Sequence, residues 1–369
     1  MKLIDKEVVK NKRVLLRLDL NVPTDNNLNI MDNTRIIKSI PTIKFLLESN
    51  CNIIIMSHMG RVKTEEDIAR YSLSNVANEL SKVLNEDVEL LSYIKKDDLK
   101  YLNVKFEDKK IIMLENTRFY DLEDGAEKNC DFELSESLAK LADVFINDAF
   151  GASHRRHAST YGVRKYIDSY YGFLINEELS NLEILNKPTD RPFSVFMGGA
   201  KVEDKLPIIK KMLLTCDYLC LGGGILNSFL KASGYDVKES LCTTDEDTIR
   251  ELKELLNIYS SKITLSNDLV WKDDRILDIG VSDYRDVLSN SKLIFINGTP
   301  GLFEVEEFKK GTIDLFEILK EVDGKVIVGG GDTVSAVNNL NVENVVDFIS
   351  SGGGASLEFI TDGYLGALE

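Results

Sequence analysis

The stretch Ile53-Ile54-Ile55-Met56-Ser57-His58-Met59-Gly60-Arg61 is four apolar residues followed at once by polar, cationic and glycine positions. A short apolar run without alternation reads as a strand buried on both faces, and the residues after it as the loop at the strand's carboxyl end. The pairing recurs along the chain. Residues 14–18 run into Asp19-Leu20-Asn21, residues 111–114 into Glu115-Asn116-Thr117-Arg118, and residues 144–146 into Asn147-Asp148. Further apolar runs fall at 193–197, 218–221, 263–265, 293–296, 326–328 and 346–349. Segments of helical periodicity lie between the runs, among them 33–49, 72–84, 132–141, 206–214 and 245–256. Strands alternating with helices predict an α/β protein built on mainly parallel sheets with crossover helices. Ligands of such sheets bind beyond the carboxyl ends of the strands, where the chemistry-bearing residues of this chain lie. Polar residues and glycines are also ordinary in turns that leave strands, which accounts for one or two of these ends but not for nearly all of them.

The 369 residues are enough for two domains, and 61 acidic against 45 basic side chains give a net charge of −16,. That sign disfavours a general nucleic-acid or anionic-membrane binder, so any basic site must be local. No apolar run approaches the roughly 18 residues of a membrane span. Five cysteines without a CxxC pair, and no signal-peptide pattern, read as a reduced, cytoplasmic protein,. The glycines divide the chain: 5 of the 24 precede residue 186, and 11 of the later ones form clusters at 198–199, 222–224, 329–331 and 352–354. The first half instead carries Arg35, Arg61, Arg118, Arg155, Arg156 and all three histidines. An amphipathic helix over 172–186, ending before Pro188, marks the seam. The expected organisation is therefore a first domain over 1–171, an interdomain helix over 172–187 and a second domain over 188–350.

Guanidiniums held at several strand ends suit phosphate and carboxylate, because their planar donor forks match those anions. Solvated surface arginines are the plainer alternative. In His154-Arg155-Arg156-His157 the spacing is not that of a zinc helix, and donation to a phosphate or a loop is the better reading. Gly198-Gly199-Ala200-Lys201-Val202-Glu203-Asp204-Lys205 leaves a strand for a helix, so free amides meet two lysines spaced i, i+4,. Lysines paired with Glu203 and Asp204 at an ordinary helix start are the competing account. Gly329-Gly330-Gly331-Asp332-Thr333 adds a carboxylate for Mg²⁺ and a hydroxyl for phosphate, and Gly352-Gly353-Gly354 a further nest of amides,. Neither GxxxxGK[ST] nor a GxGxxG with an acidic ribose partner is present,.

In this order, these segments resemble phosphoglycerate kinase over the whole chain. They include Arg17-Leu18-Asp19-Leu20-Asn21-Val22-Pro23, Ser57-His58-Met59-Gly60-Arg61, Glu115-Asn116-Thr117-Arg118-Phe119, Gly198-Gly199-Ala200-Lys201-Val202, Gly329-Gly330-Gly331-Asp332-Thr333 and Ser351-Gly352-Gly353-Gly354-Ala355-Ser356. The resemblance implies two Rossmann-like three-layer domains joined by a helix and hinge, with residues 351–369 returning to the first domain. It implies reversible phosphoryl transfer between 1,3-bisphosphoglycerate and ADP-Mg, giving 3-phosphoglycerate and ATP. Carried over by position, Asp19, Leu20, Asn21, Arg35, His58, Met59, Gly60, Arg61, Arg118 and Arg155 would hold the phosphoglycerate. Lys205, Gly222, Gly223, Gly280, Asn297, Glu304, Gly330, Gly331, Asp332 and Thr333 would hold the nucleotide, with Asp332 on Mg²⁺. Arg35, Lys201, Gly331 and Gly353 would neutralise the phosphoryl in flight, and closure of the two domains would exclude water. The family is expected to act as a monomer. The chain departs from the family pattern at Val62, Arg156, Val281-Ser282-Asp283, a short 271–280 segment and the tail Gly363-Tyr364-Leu365-Gly366-Ala367-Leu368-Glu369. The alternative reading is a non-catalytic relative that binds the same ligands, which intact Arg35, Lys201, Lys205 and Asp332 argue against.

Overall fold

The computed structural model describes residues 1–106, 110–122 and 124–369 and divides into two compact units. The first comprises Met1–Leu179 with Tyr364–Glu369, and the second Ser180–Gly363. In the first, seven strands form one all-parallel sheet: β1 (Lys2–Leu3), β2 (Arg13–Leu18), β3 (Asn52–Met56), β4 (Val88–Leu90), β5 (Ile111–Met113), β6 (Val144–Asp148) and β7 (Ser169–Tyr171). Their order across the sheet is β1-β7-β6-β2-β3-β5-β4. In the second, β8 (Phe193–Met197), β9 (Tyr218–Leu221), β10 (Ile263–Thr264), β13 (Leu293–Asn297), β14 (Lys325–Gly329) and β15 (Phe348–Ile349) form a parallel sheet. Its order is β10-β9-β8-β13-β14-β15, and β11 (Leu269–Lys272) and β12 (Arg275–Ile279) make a separate antiparallel hairpin.

The strand alternation builds layers on both faces of the first sheet. Val14, Leu16, Ile53, Ile55, Ile111, Met113, Val144 and Ile146 enter one apolar cluster. Leu15, Ile54, Met56, Ile112 and Phe145 enter the other. The first cluster is covered by helix Thr34–Glu48, which buries Ile36, Ser39, Thr42, Ile43 and Leu46, and by helix Ser74–Leu84, which buries Val76, Ala77, Leu80 and Leu84. Both helices bury one stripe at i, i+3, i+4 spacing. Helix Phe132–Ala139 starts where the Asp131 carboxylate accepts from the Leu134 amide at 2.8 Å, the ordinary device for an orphan N–H,.

Register brings the strand ends level. Arg17 pairs with Met56 and Leu18 with Asp148, so Asp19 and Ser57 leave the first sheet at one edge. Met197 pairs with Asn297 and Leu221, and Asn297 with Gly329, so Gly198, Gly222, Gly298 and Gly330 leave the second sheet together. In each sheet the chain reverses its direction of travel at the central pair, β2/β6 and β8/β13, which is the crevice position expected for a ligand,.

Helix Phe173–Asn186 contains the division between the units, at Leu179/Ser180. The return of the tail begins later than residue 351. Helix Gly354–Asp362 buries Ala355, Ser356, Phe359 and Ile360, packs against helix Leu206–Thr215 and belongs to the second unit. Only Tyr364–Glu369 groups with the first unit, where the Ala367 amide donates to the Ser153 carbonyl at 2.9 Å. Arg156 there pairs with Glu369, so one departure from the family pattern is answered by another. Among the described residues no helix is long and apolar enough to cross a membrane.

Candidate functional site

At the carboxyl edge of the first sheet, the loops after β2, β3 and β5 are tied into one frame. The Ser57 hydroxyl accepts from the Leu20 amide at 2.9 Å, and the Asn21 side chain accepts from the Gly60 amide at 2.9 Å. Asn116, fully buried, accepts from the Met59 and Arg118 amides at 3.1 Å each and donates to the carbonyls of Met59 and Tyr71 at 2.8 and 2.9 Å. Gly60 has φ +60°, and a Cβ there would lie 2.1 Å from the Tyr71 ring. The frame leaves charged side chains along its rim. Arg35 pairs with Asp19 at 2.5 Å, Arg118 donates to the Gly60 carbonyl, and Arg61 and Arg155 are exposed. Beneath them lies Arg17, 1% exposed, with its Nη2 3.2 Å from His58 Nδ1.

The electrostatics favour an anion. Burial raises the Asp19 carboxyl, but His58, Arg35 and Arg17 more than offset this and leave it below its ordinary value. Burial, opposed by Asp19 but joined by Arg17, Arg118 and Arg35, drops His58 well below 6.5. Burial and the surrounding Arg17, Arg155 and Arg118 charges bring His157 to about 3. Both rings are therefore neutral donors and acceptors at neutral pH, and the positive charge of the cluster is carried by guanidiniums. A planar cationic cluster over such a backbone frame suits a small anion such as a phosphate or carboxylate.

The second unit holds a cleft of two chambers at its carboxyl edge. One, of about 360 Å³, is lined by Gly223, Gly224, Asn227, Leu241, Ile276, Leu277, Gly301, Leu302 and Glu304. The other, of about 380 Å³, is lined by Lys201, Asp204, Lys205, Asn297, Gly298, Gly330, Gly331 and Asp332. Gly199, Ala200 and Asp332 border both. The first chamber is mostly apolar and suits a base; Glu304, at its rim, suits hydroxyls. The second offers two lysines and the amino end of helix Gly331–Leu340, a design for phosphates,. Lys205 donates to Asn297 Oδ1, and Asn297 Nδ2 donates in turn to the Gly329 carbonyl at 2.9 Å, which fixes the lysine over the chamber. Burial lowers the Lys205 pKa, and Asp332 and Asp204 oppose that shift. A Cβ on Gly331 would meet nothing within 4 Å, so the backbone here borders open space in the chamber.

Some expected residues are placed otherwise. Lys201 stands in the loop and Lys205 in the turn before the helix, which begins only at Leu206, yet both line the phosphate chamber. Gly222 and Gly280 do not line the base chamber. A Cβ on Gly222 would meet Phe196 and Pro300 within 2.9 Å, and one on Gly280 the Asp268 carboxyl at 1.8 Å, so close packing explains both. The Thr333 hydroxyl is used internally, accepting from the Gly298 amide at 2.6 Å and donating to the Gly329 carbonyl at 2.9 Å. Gly353 caps helix Gly354–Asp362 and lines neither chamber. Asp148 does not join the rim; its carboxylate accepts from the Ile175 amide at 3.0 Å. Sequence reasoning missed Asn227, Leu241, Ile276 and Leu277, which no local motif marks, and gave no role to Arg17, Asn116, Glu127 and Ser159.

A parallel-sheet fold with a guanidinium cluster at one set of strand ends and a lysine-and-amide phosphate chamber at the other defines a two-unit α/β phosphotransferase. The phosphoglycerate kinase family model matches residues 4–363. A phosphoglycerate kinase of Macrococcus caseolyticus is 37% identical over 375 residues, 95% of this chain and 94% of that protein. One from Fusobacterium nucleatum is 38% identical over 388 residues, 98% of this chain and 96% of its own. Among solved structures, phosphoglycerate kinase from Coxiella burnetii aligns with a TM-score of 0.86 at 33% identity, covering 98% of this chain and 96% of that one. The chain belongs to the phosphoglycerate kinase family.

Proposed function

We propose that the chain transfers a phosphoryl group reversibly between 1,3-bisphosphoglycerate and ADP, forming 3-phosphoglycerate and ATP, with the phosphoglycerate on the guanidinium cluster of the first unit and the nucleotide in the cleft of the second. The observation that carries this assignment is the cleft: an apolar chamber opening into one with Lys201, Lys205 and free amides, complementary in shape and charge to a nucleoside polyphosphate. Family membership supports the reaction itself. Arg118, Arg155, Arg61 and His58 would bind the non-transferred phosphate and the glycerate, and Asp19 and Asn21 its hydroxyl.

Phosphoryl transfer needs in-line placement and charge neutralisation more than a covalent partner. Arg35 and Lys201 are assigned to the equatorial oxygens, Lys201 together with the Gly331 amide that lines the same chamber. Because the two substrates would be held by different units, transfer requires the units to bring them together, and their closure would also keep water from the acyl phosphate. Magnesium fits the residues present. It commonly takes one or two carboxylates and completes its shell with nucleotide phosphates and water, and Asp332 is such a carboxylate, bordering both chambers,. When bound it would supply positive charge to the nucleotide phosphates. A cytoplasmic monomer acting on these small molecules is the reading that the family resemblance supports.

The test is a coupled assay with 3-phosphoglycerate and ATP-Mg. Turnover that needs both substrates and magnesium is the expected outcome. Binding of both ligands without turnover at high enzyme concentration would instead favour the non-catalytic alternative.

A further inference from the structure

Arg17 and Glu127 are fully buried charged groups under the rim of the first unit, and the transfer described above uses neither. Arg17 leaves β2 on the same face as Leu15, is 1% exposed, and spends its donors on three partners. Nε donates to Ser159 Oγ at 2.9 Å, Nη1 to the Leu18 carbonyl, and Nη2 reaches His58 Nδ1 at 3.2 Å. Ser159, itself fully buried, donates its hydroxyl to Glu127 Oε1 at 2.5 Å, and its amide to Glu127 Oε2 at 3.0 Å. Glu127 is 0% exposed. A buried guanidinium is costly unless opposite charge and full hydrogen bonding accompany it. Here the carboxylate stands one hydroxyl away.

A guanidinium can only donate. The contact at Nδ1 therefore requires that nitrogen to be unprotonated, and a neutral imidazole then carries its single proton on Nε2. We propose that Glu127, Ser159 and Arg17 form a buried positioning chain that holds His58 in one orientation as the Nε2–H tautomer, so that the ring meets the phosphoglycerate as a fixed neutral donor. The role at the ligand rests on the functional reading above; the locking of the ring does not.

The charged groups facing His58 agree with a neutral ring. Asp19 Oδ1, 3.9 Å from Nδ1, is the one group that favours protonation, while Arg17, Arg118 and Arg35 oppose it and burial adds to them. Arg17 also pins the Leu18 carbonyl, immediately before Asp19-Leu20-Asn21, so one side chain sets the ring and the end of the strand together.

The test uses the intact chain, labelled with ¹⁵N in its histidine rings. Only three histidines are present, and His58→Gln assigns the signals of interest by their loss. The unmodified protein is expected to show His58 as the Nε2–H tautomer with no titration between pH 5 and 8. Arg17→Met is expected to give mixed tautomers, a titration inside that range, and a KM for 3-phosphoglycerate raised roughly 5- to 100-fold and newly dependent on pH, the effect of losing a buried partner. The KM for ATP should stay within about twofold, since the nucleotide cleft belongs to the other unit. Ser159→Ala, a milder cut in the chain, is expected to move the ring signals and the phosphoglycerate KM in the same direction by less, and it decides the question should Arg17→Met fail to fold. An Nδ1–H tautomer or an ordinary histidine titration in the unmodified protein would overturn the proposal, as would unchanged ring signals in either folded variant. The ring is read without substrate, so a locked His58 in a protein that ignores 3-phosphoglycerate would count against the functional reading alone.

Discussion

Single residues separate the parts of the site that hold the fold from those that face a ligand, and two glycines show how. Gly298 has φ +102°, and a Cβ there would lie 2.2 Å from the Gly198 carbonyl, so the two loops at the β8/β13 crevice touch backbone to backbone. Gly298→Ala is expected to destabilise the protein by at least about 2 kcal/mol, measured by denaturant unfolding, since strain and a backbone clash act together. Gly331 has open space where its Cβ would go. Gly331→Ala should therefore leave stability unchanged or slightly raised, while weakening ATP binding roughly tenfold by standing in the ligand's place. Loss of stability at Gly331 or of binding alone at Gly298 would reverse the assignments. Arg35→Ala and Lys201→Ala should each lower kcat by roughly 10²- to 10⁵-fold with the fold retained, the range of a charge-stabilising group in phosphoryl transfer. Near-normal turnover in either would remove it from the reacting centre.

At the scale of elements, the strands that the sequence displays are those buried on both faces. The runs at 53–56 and 193–197 appear as Asn52–Met56 and Phe193–Met197, because a continuous β-branched or aromatic run has few other solutions,. Lys2–Leu3, Val88–Leu90 and Ser169–Tyr171 escape notice since they are two or three residues long and half exposed or polar. Helices Gly223–Ala232, Gly331–Leu340 and Gly354–Asp362 were hidden by the glycines at their starts, residues of poor helix propensity,; at Gly223 and Gly224 they let the chain pass close to the backbone of Gly199 and Ala200. The base chamber was illegible for a different reason. Leu241 and Ile276 meet only through tertiary packing, and neither sits beside a motif.

Asp148 shows the same point about a motif that was legible while its role was not. Its strand-end position suggested ligand chemistry, but the carboxyl is buried at the start of helix Phe173–Asn186, and burial pushes its pKa from 3.8 to about 6 despite the amides it accepts from. An acid whose folded pKa is raised lends its full stability below the unfolded value and loses it as pH climbs through the folded one. Relative to Asp148→Asn, the unmodified protein should therefore gain on the order of 3 kcal/mol between pH 7 and pH 4. Parallel pH profiles of unfolding free energy check it. Superimposable profiles would mean the carboxyl is not held in the folded state as described.

For the whole molecule, the skew of glycines to one half and arginines to the other becomes a division of chemistry. The first unit presents guanidiniums on a frame tied by Asn116, and the second presents amides and two lysines around a chamber that Asp332 borders. Each unit is assigned its own substrate. Calorimetric titration of 3-phosphoglycerate and of ATP-Mg into the unmodified protein, Arg118→Ala and Lys205→Ala tests it in one experiment. Arg118→Ala should lose roughly tenfold or more in affinity for 3-phosphoglycerate and bind ATP normally, and Lys205→Ala should do the reverse. Loss of both ligands in a folded variant, or loss of the other unit's ligand, would contradict the account.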